Sequence, residues 1–136
     1  MEPSKSTTGI LLSDDLLFTS RINGTARSLG LDLQVARTAT ELDQLLKIQS
    51  PACVLVDLHH AELNLAALVP ELRRLGRCTL VGYGSHVATE VLKQARAAGC
   101  DVVMPRSQFV ERLAEDLPGW YVPSTSPLPI EQGERG

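Results

Sequence analysis

Short apolar runs alternate with longer stretches of helical spacing along most of the chain. Five runs have the length and bulk of strands: residues 9–13, 31–36, 52–56, 78–81 and 101–104. The run at 52–56 is apolar on both faces, as a central parallel strand should be. The run at 31–36 alternates Leu31, Leu33 and Val35 with Asp32 and Gln34, the pattern of a half-buried strand near a sheet edge. Between the runs, apolar residues recur at helical spacing. Phe18, Ile22, Ala26 and Leu29 form one stripe, stopped by Gly30, with Gly24 a weak point inside it. Thr38 and Glu41 have capping-box spacing ahead of Leu42, Leu45 and Leu46. Leu65, Leu68, Val69, Leu72 and Leu75 form a third stripe, with Pro70 predicting a helix that starts or kinks there. Val87, Val91, Ala95 and Ala98 predict a fourth helix. Phe109, Val110, Leu113 and Leu117 predict a last one, ended by Pro118-Gly119.

Five β/α units with short connections and right-handed crossovers predict a parallel sheet with helices on both faces. The expected architecture is α/β: a flavodoxin-like, doubly wound three-layer sandwich with strand order 2-1-3-4-5. Residues 9–118 would form that domain, residues 1–8 a flexible lead and residues 119–136 a Pro-rich flexible tail. Within the tail, Trp120 and Tyr121 suggest docking on a partner or on a second copy, so a homodimer is one expectation.

Composition narrows the picture. Aromatic residues are 4% of 136, so the core must be aliphatic. A net charge of −3 gives no basic surface to track a phosphate backbone, and direct nucleic-acid binding is not expected. The longest apolar runs are far shorter than the roughly 20 residues a membrane span needs. No membrane role and a cytoplasmic location are therefore expected. Cys53, Cys78 and Cys100 are widely spaced, without a C-x-x-C pair, and read as reduced core thiols.

In open parallel sheets, ligands bind beyond the carboxyl ends of the strands. Those ends carry Asp14 and Asp15, then Asp57, then residues 82–86, then residues 104–107. The expected strand order makes the first and third strands neighbours, so three carboxylates converge. Like charges that close call for a cation, and Mg²⁺ is the natural one. Asp15 alone would serve equally as a helix cap. Gly82-Tyr83-Gly84-Ser85-His86 offers backbone N–H groups to a small anion, or simply a tight turn. Asp57-Leu58-His59-His60 has part of a cobalamin-binding D-x-H-x-x-G pattern, but Glu62 stands where the glycine belongs, and both histidines read as exposed loop residues.

Leu11-Leu12-Ser13-Asp14-Asp15, Val54-Leu55-Val56-Asp57 and the segment from Ala95 to Pro105 together resemble response-regulator receiver (CheY-like) domains. The resemblance runs from about Gly9 to Leu117. It implies that Asp57 is the phosphoacceptor for a histidine kinase. It also implies that Asp14, Asp15 and Asp57, with the backbone carbonyl of His59, hold Mg²⁺. Two positions depart from the family pattern. Met104 stands where the family has a lysine, and Gly82, by spacing, where it has a serine or threonine. Arg106 and Ser85 are candidate substitutes, and Tyr83 follows the missing hydroxyl.

The resemblance therefore implies a pseudo-receiver: a non-enzymatic two-component signalling element acting by contact with a histidine kinase or another signalling protein. Its contact face would include Glu90, Gln94, Arg106, Gln108 and Arg112. The alternatives are a phosphorelay-competent single-domain regulator using Asp57 and Mg²⁺, and a binder of a small anionic ligand at the loop after the fourth strand. By the same resemblance, the Met104-Pro105 peptide is expected to be cis.

Overall fold

A computed structural model of the chain describes residues 8–122. Its elements alternate: β1 (Thr8–Leu12), α1 (Leu16–Ser28), β2 (Asp32–Ala36), α2 (Ala39–Ile48), β3 (Cys53–Asp57), α3 (Leu65–Leu75), β4 (Thr79–Gly84), α4 (Thr89–Ala98), β5 (Val102–Pro105), α5 (Arg106–Glu111) and α6 (Leu113–Tyr121). The strands form one parallel sheet in the order β2-β1-β3-β4-β5, as the sequence pattern predicts. β3 lies at its centre, which explains its continuous apolar run. β2 lies at an edge, which explains its alternation.

Side chains of a strand alternate between faces, and the two cores follow that rule. Leu11, Cys53, Leu55, Val81, Tyr83 and Met104 face α1, α5 and α6, where they meet Phe18, Ile22, Phe109, Leu113 and Tyr121. Ile10, Leu12, Val54, Val56 and Leu80 face the opposite way, onto Leu42 and Leu46 of α2 and Leu68 and Leu72 of α3. α4 joins that second layer. Gly99, its left-handed C-cap at φ 118°, lies where a Cβ would come within 2.9 Å of Val69 on α3.

Capping follows the sequence. Thr38 caps α2 by accepting the N–H of Glu41, and Glu41 reaches back to the N–H of Arg37. Asn64 caps α3 through the N–H of Ala67.

Several expectations are corrected. α3 begins at Leu65 and runs through Pro70, because Leu68 and Leu72 are buried on either side of it. Of the stripe Val87, Val91, Ala95 and Ala98, only Ala95 is buried; the other buried residue of α4 is Leu92. Val87 is 73% exposed, in the turn before the helix. The last helical region is two helices, α5 and α6, and α6 continues through Pro118 to Tyr121. Residues 119–121, assigned to the tail by sequence, are thus the last turn of α6, while residues 1–7 and 123–136 lie outside the described residues. Tyr121 anchors that turn: its ring is buried and its hydroxyl donates to the Asp32 carbonyl at 2.7 Å. The Met104-Pro105 peptide is trans, as is every other peptide among the described residues.

Candidate functional site

The carboxyl ends of β1, β3, β4 and β5 meet at one end of the sheet. Strand register places Asp57 opposite Tyr83, and Tyr83 opposite Met104. Alternation puts these three side chains on the same face, toward α1 and α5. The residue level with the aspartate on β4 is therefore Tyr83. Gly82, chosen by counting back along the chain, belongs to the opposite face. There an added Cβ would come within 2.8 Å of the Leu58 side chain, which covers it.

Tyr83 is completely buried. Its ring stacks on Phe109 at 4.5 Å between centroids and packs against Phe18 at 5.1 Å. Trp120 extends the stack from the far side of Phe109. The Tyr83 hydroxyl is buried without a partner in full hydrogen-bonding geometry, and the Ser13 side chain is the polar group placed to meet it. Burial first, and the Asp57 carboxylate second, push this phenol's pKa upward, so it stays protonated. Met104 is buried in the same aliphatic and aromatic core, a thioether with no charge to offer where the resemblance implies a lysine.

The positive charge comes instead from Arg106, the first residue of α5. Its guanidinium donates to Asp15 Oδ2 at 2.9 Å and lies 4.0 Å above the Phe18 ring. The other oxygen of Asp15, Oδ1, accepts the N–H of Phe18 and caps α1. The cap and the pocket role are thus both realised in one carboxylate. The Phe18 N–H and then the Arg106 guanidinium hold Asp15 below the usual carboxylate range. Asp14, by contrast, is exposed.

On the opposite face, the β3–α3 loop folds over the end of β4. Asp57 Oδ1 accepts the N–H of His59, and the Leu58 N–H donates to the Tyr83 carbonyl. His59 Nε2 accepts the N–H of Ser85 at 2.9 Å. One of the backbone N–H groups offered by the glycine-flanked loop, that of Ser85, is thus already taken by an imidazole. Ser85 does not cap α4, whose N-cap is Ala88; its hydroxyl accepts the N–H of Val87. His86 is exposed, as is His59. His60 is buried, contrary to the sequence reading. Its Nδ1 accepts the N–H of Glu62, so Nε2 carries the proton donated to the Arg37 carbonyl.

The expected residues therefore gather, but not as a metal site. Asp15 has one oxygen on Phe18 N–H and the other on Arg106, while one oxygen of Asp57 is on His59 N–H. Among the described residues, no three His, Cys, Asp or Glu side chains stand together as metal ligands. As they stand, these side chains do not fit the Mg²⁺ that the resemblance implies. Arg106 has left the proposed contact face for the pocket, whereas Glu90, Gln94, Gln108 and Arg112 are exposed. Sequence reasoning missed Phe18, which carries the guanidinium, and Leu58, which covers Gly82. The signal for Tyr83 was present: Val81 and Tyr83 alternate with the two glycines, which assigns the aromatic ring and the glycines to opposite faces.

No protein-family model matches the chain, and no curated protein matches it in sequence. Solved structures do match in shape. A response regulator from Thermotoga maritima superposes with a TM-score of 0.72 at 13% identity, over 86% of this chain and 98% of that one. A signal receiver domain from Bermanella marisrubri gives 0.72 at 16% identity, over 87% and 100%. A response regulator from Burkholderia pseudomallei, solved with a phosphorylated aspartic acid, a calcium ion and citrate, gives 0.68 at 16% identity, over 83% and 71%. The fold is thus that of response-regulator receiver (CheY-like) domains.

Proposed function

We propose that this domain is a pseudo-receiver: a non-enzymatic signalling element that works through contacts with a histidine kinase or another signalling protein. The observation that carries this reading is the Asp57–Tyr83–Met104 row. An acyl phosphate on Asp57 needs a cation and a small hydroxyl beside it to hold its charge. Here the neighbours across the strands are a phenol fixed in an aromatic stack and a buried thioether. Contact with another protein is supported at the same end of the sheet, where Leu16 and Leu17 start α1 and Val87 precedes α4. All three are exposed, Leu17 by 86%. Among the described residues, no helix is long and apolar enough to cross a membrane.

The rival reading, phosphoryl acceptance at Asp57, draws on the Burkholderia structure with its phosphorylated aspartate. Binding of a small anion after β4 is disfavoured by His59, which occupies the Ser85 N–H. One measurement separates the first two: backbone amide spectra of the full chain with Mg²⁺ alone, and then with Mg²⁺ and beryllofluoride. Beryllofluoride is expected to add no shifts around Asp57, Tyr83 and Met104. Added shifts there that vanish in Asp57→Asn would overturn the pseudo-receiver reading.

A further inference from the structure

We propose that the groove between α2 and α3 is a docking site for a basic amphipathic helix of another protein. Both helices pack on the same face of the sheet, but their bonds lead away from each other. α3 is tied toward α4: Arg73 donates to the carbonyls of Cys78 and Gly99 and to the Asp101 carboxylate, and Gly99 lies against Val69. α2 is tied to the sheet edge, where its C-cap Gln49 donates to Gln34 of β2 at 2.9 Å. Among the described residues, no hydrogen bond or ion pair joins α2 to α3. The space left open between them is about 650 Å³. It is thus a product of how the two helices are anchored, not of a loose loop.

The lining sets the chemistry of the occupant. Leu12, Leu42, Leu46 and Leu68 form the floor, so apolar side chains entering the groove would extend the core beneath it. Leu63 is half-buried and Ala67 exposed on the α3 side. The rim carries the carboxylates of Asp43, Glu62 and Glu71 against the single ammonium of Lys47, which itself pairs with Asp43. Glu62 is held at one end of the groove, where its Oε1 accepts the Ala39 N–H at 2.8 Å. An acidic rim repels nucleic acid and anionic lipid and attracts Lys or Arg. α2 has 10 residues and runs about 15 Å, room for about three turns of a partner helix. Its apolar stripe would meet the floor and its basic flanks the rim. The rest of this chain does not supply that charge: residues 123–136 hold Glu131 and Glu134 against Arg135, and residues 1–7 hold Glu2 against Lys5.

The groove lies on a different surface from Leu16, Leu17 and Val87, and the inference stands whether or not Asp57 accepts a phosphoryl group. Its test uses a synthetic amphipathic helical peptide of leucine and lysine, and a counterpart with glutamate in place of every lysine. Each is titrated into the isotope-labelled full chain while backbone amides are followed. The leucine–lysine peptide is expected to shift residues 39–47 and 62–71, and the glutamate peptide to shift none of them. Glu62→Gln/Glu71→Gln, which keeps an acceptor for the Ala39 N–H, is expected to weaken binding on the order of tenfold. Ala67→Arg, which fills the groove, is expected to abolish it. Ala97→Arg, which adds the same charge at an exposed position of α4, is expected to match the natural chain. The same spectra report that each variant is folded. The proposal is wrong if the leucine–lysine peptide shifts nothing, if it acts elsewhere, or if both peptides bind alike. Equal weakening by Ala97→Arg would also overturn it, by reducing the effect to net charge. Shifts of the groove residues on raising protein concentration alone would overturn it too, by assigning the groove to a second copy.

Discussion

Gly9 illustrates how one residue can tie the sheet to the end of the chain. It sits in β1, where an added Cβ would meet Tyr121 Oη at 2.5 Å and Cζ at 2.9 Å, with Cys53 Sγ at 3.0 Å. Tyr121 is held there by its own bond to the Asp32 carbonyl, so it has little freedom to retreat. Gly9→Ala should therefore destabilise the domain by about 1–3 kcal/mol, the usual cost of overpacking. In a Tyr121→Ala background the same change should cost much less, and a urea double-mutant cycle measures the difference. Equal costs in both backgrounds would show that the Tyr121 ring does not set the limit. None of this contact was visible in the sequence, where Gly9 and Tyr121 lie far apart and Tyr121 read as tail. The candidate site divides in the same way. Asp14, Asp15 and Asp57 were legible because each follows an apolar strand run. Arg106 was a candidate for the pocket because it follows Met104 by two residues, but its partner Asp15, 91 positions away, was not legible, because that pairing depends on how β1 and β5 are placed across the sheet. The exchange of Gly82 for Tyr83 at the level of Asp57 is a matter of register, which counting along one strand does not supply.

Elements were legible where local periodicity decides and obscure where packing overrides it. The five strands and their order followed from run length and composition, since a central parallel strand must be apolar on both faces. α6 was cut short because proline removes a backbone donor and crowds the preceding turn, at a cost of about 3 kcal/mol in a helix interior. Burial of Leu117 and Tyr121 on either side of Pro118 offsets that cost, and tertiary burial of this kind cannot be read from a local signal. In α4 the predicted stripe holds only at Ala95, because packing against β4 and β5 buries Leu92 in place of Val91 and Ala98. α1 offers a direct test of what local preference contributes. Gly24 is exposed in the middle of the helix, and an added Cβ would meet nothing within 4 Å. Gly24→Ala should stabilise the domain by about 1 kcal/mol, the ordinary helix preference of alanine over glycine. The urea midpoint should rise with an unchanged slope. A midpoint that stays or falls would mean that the glycine answers a constraint other than helix formation.

Across the whole molecule, the two faces of the sheet share one response to alkaline pH. Cys53 belongs to the core under α1 and α6, and Cys78 to the core under α2 and α3. Burial pushes both thiols from 9.0 up to about 12, and Cys100 up to about 11. The Tyr83 and Tyr121 phenols are pushed the same way, chiefly by burial. All of these are acids whose neutral form the folded state prefers. Their contribution to stability is complete below the unfolded thiol value of about 9, and it is lost as pH rises from there toward the folded values. Because the groups lie in both cores of one sheet, the loss should appear as a single cooperative transition that moves to lower urea, not as the release of one layer. Urea midpoints taken from pH 8 to pH 11 should fall steadily above pH 9. In a Cys53→Ala/Cys78→Ala variant the midpoint at pH 8 will shift for packing reasons, so the informative quantity is the slope above pH 9, which should flatten. An unchanged slope would place the alkaline sensitivity with other groups and would deny that burial in the two cores governs it.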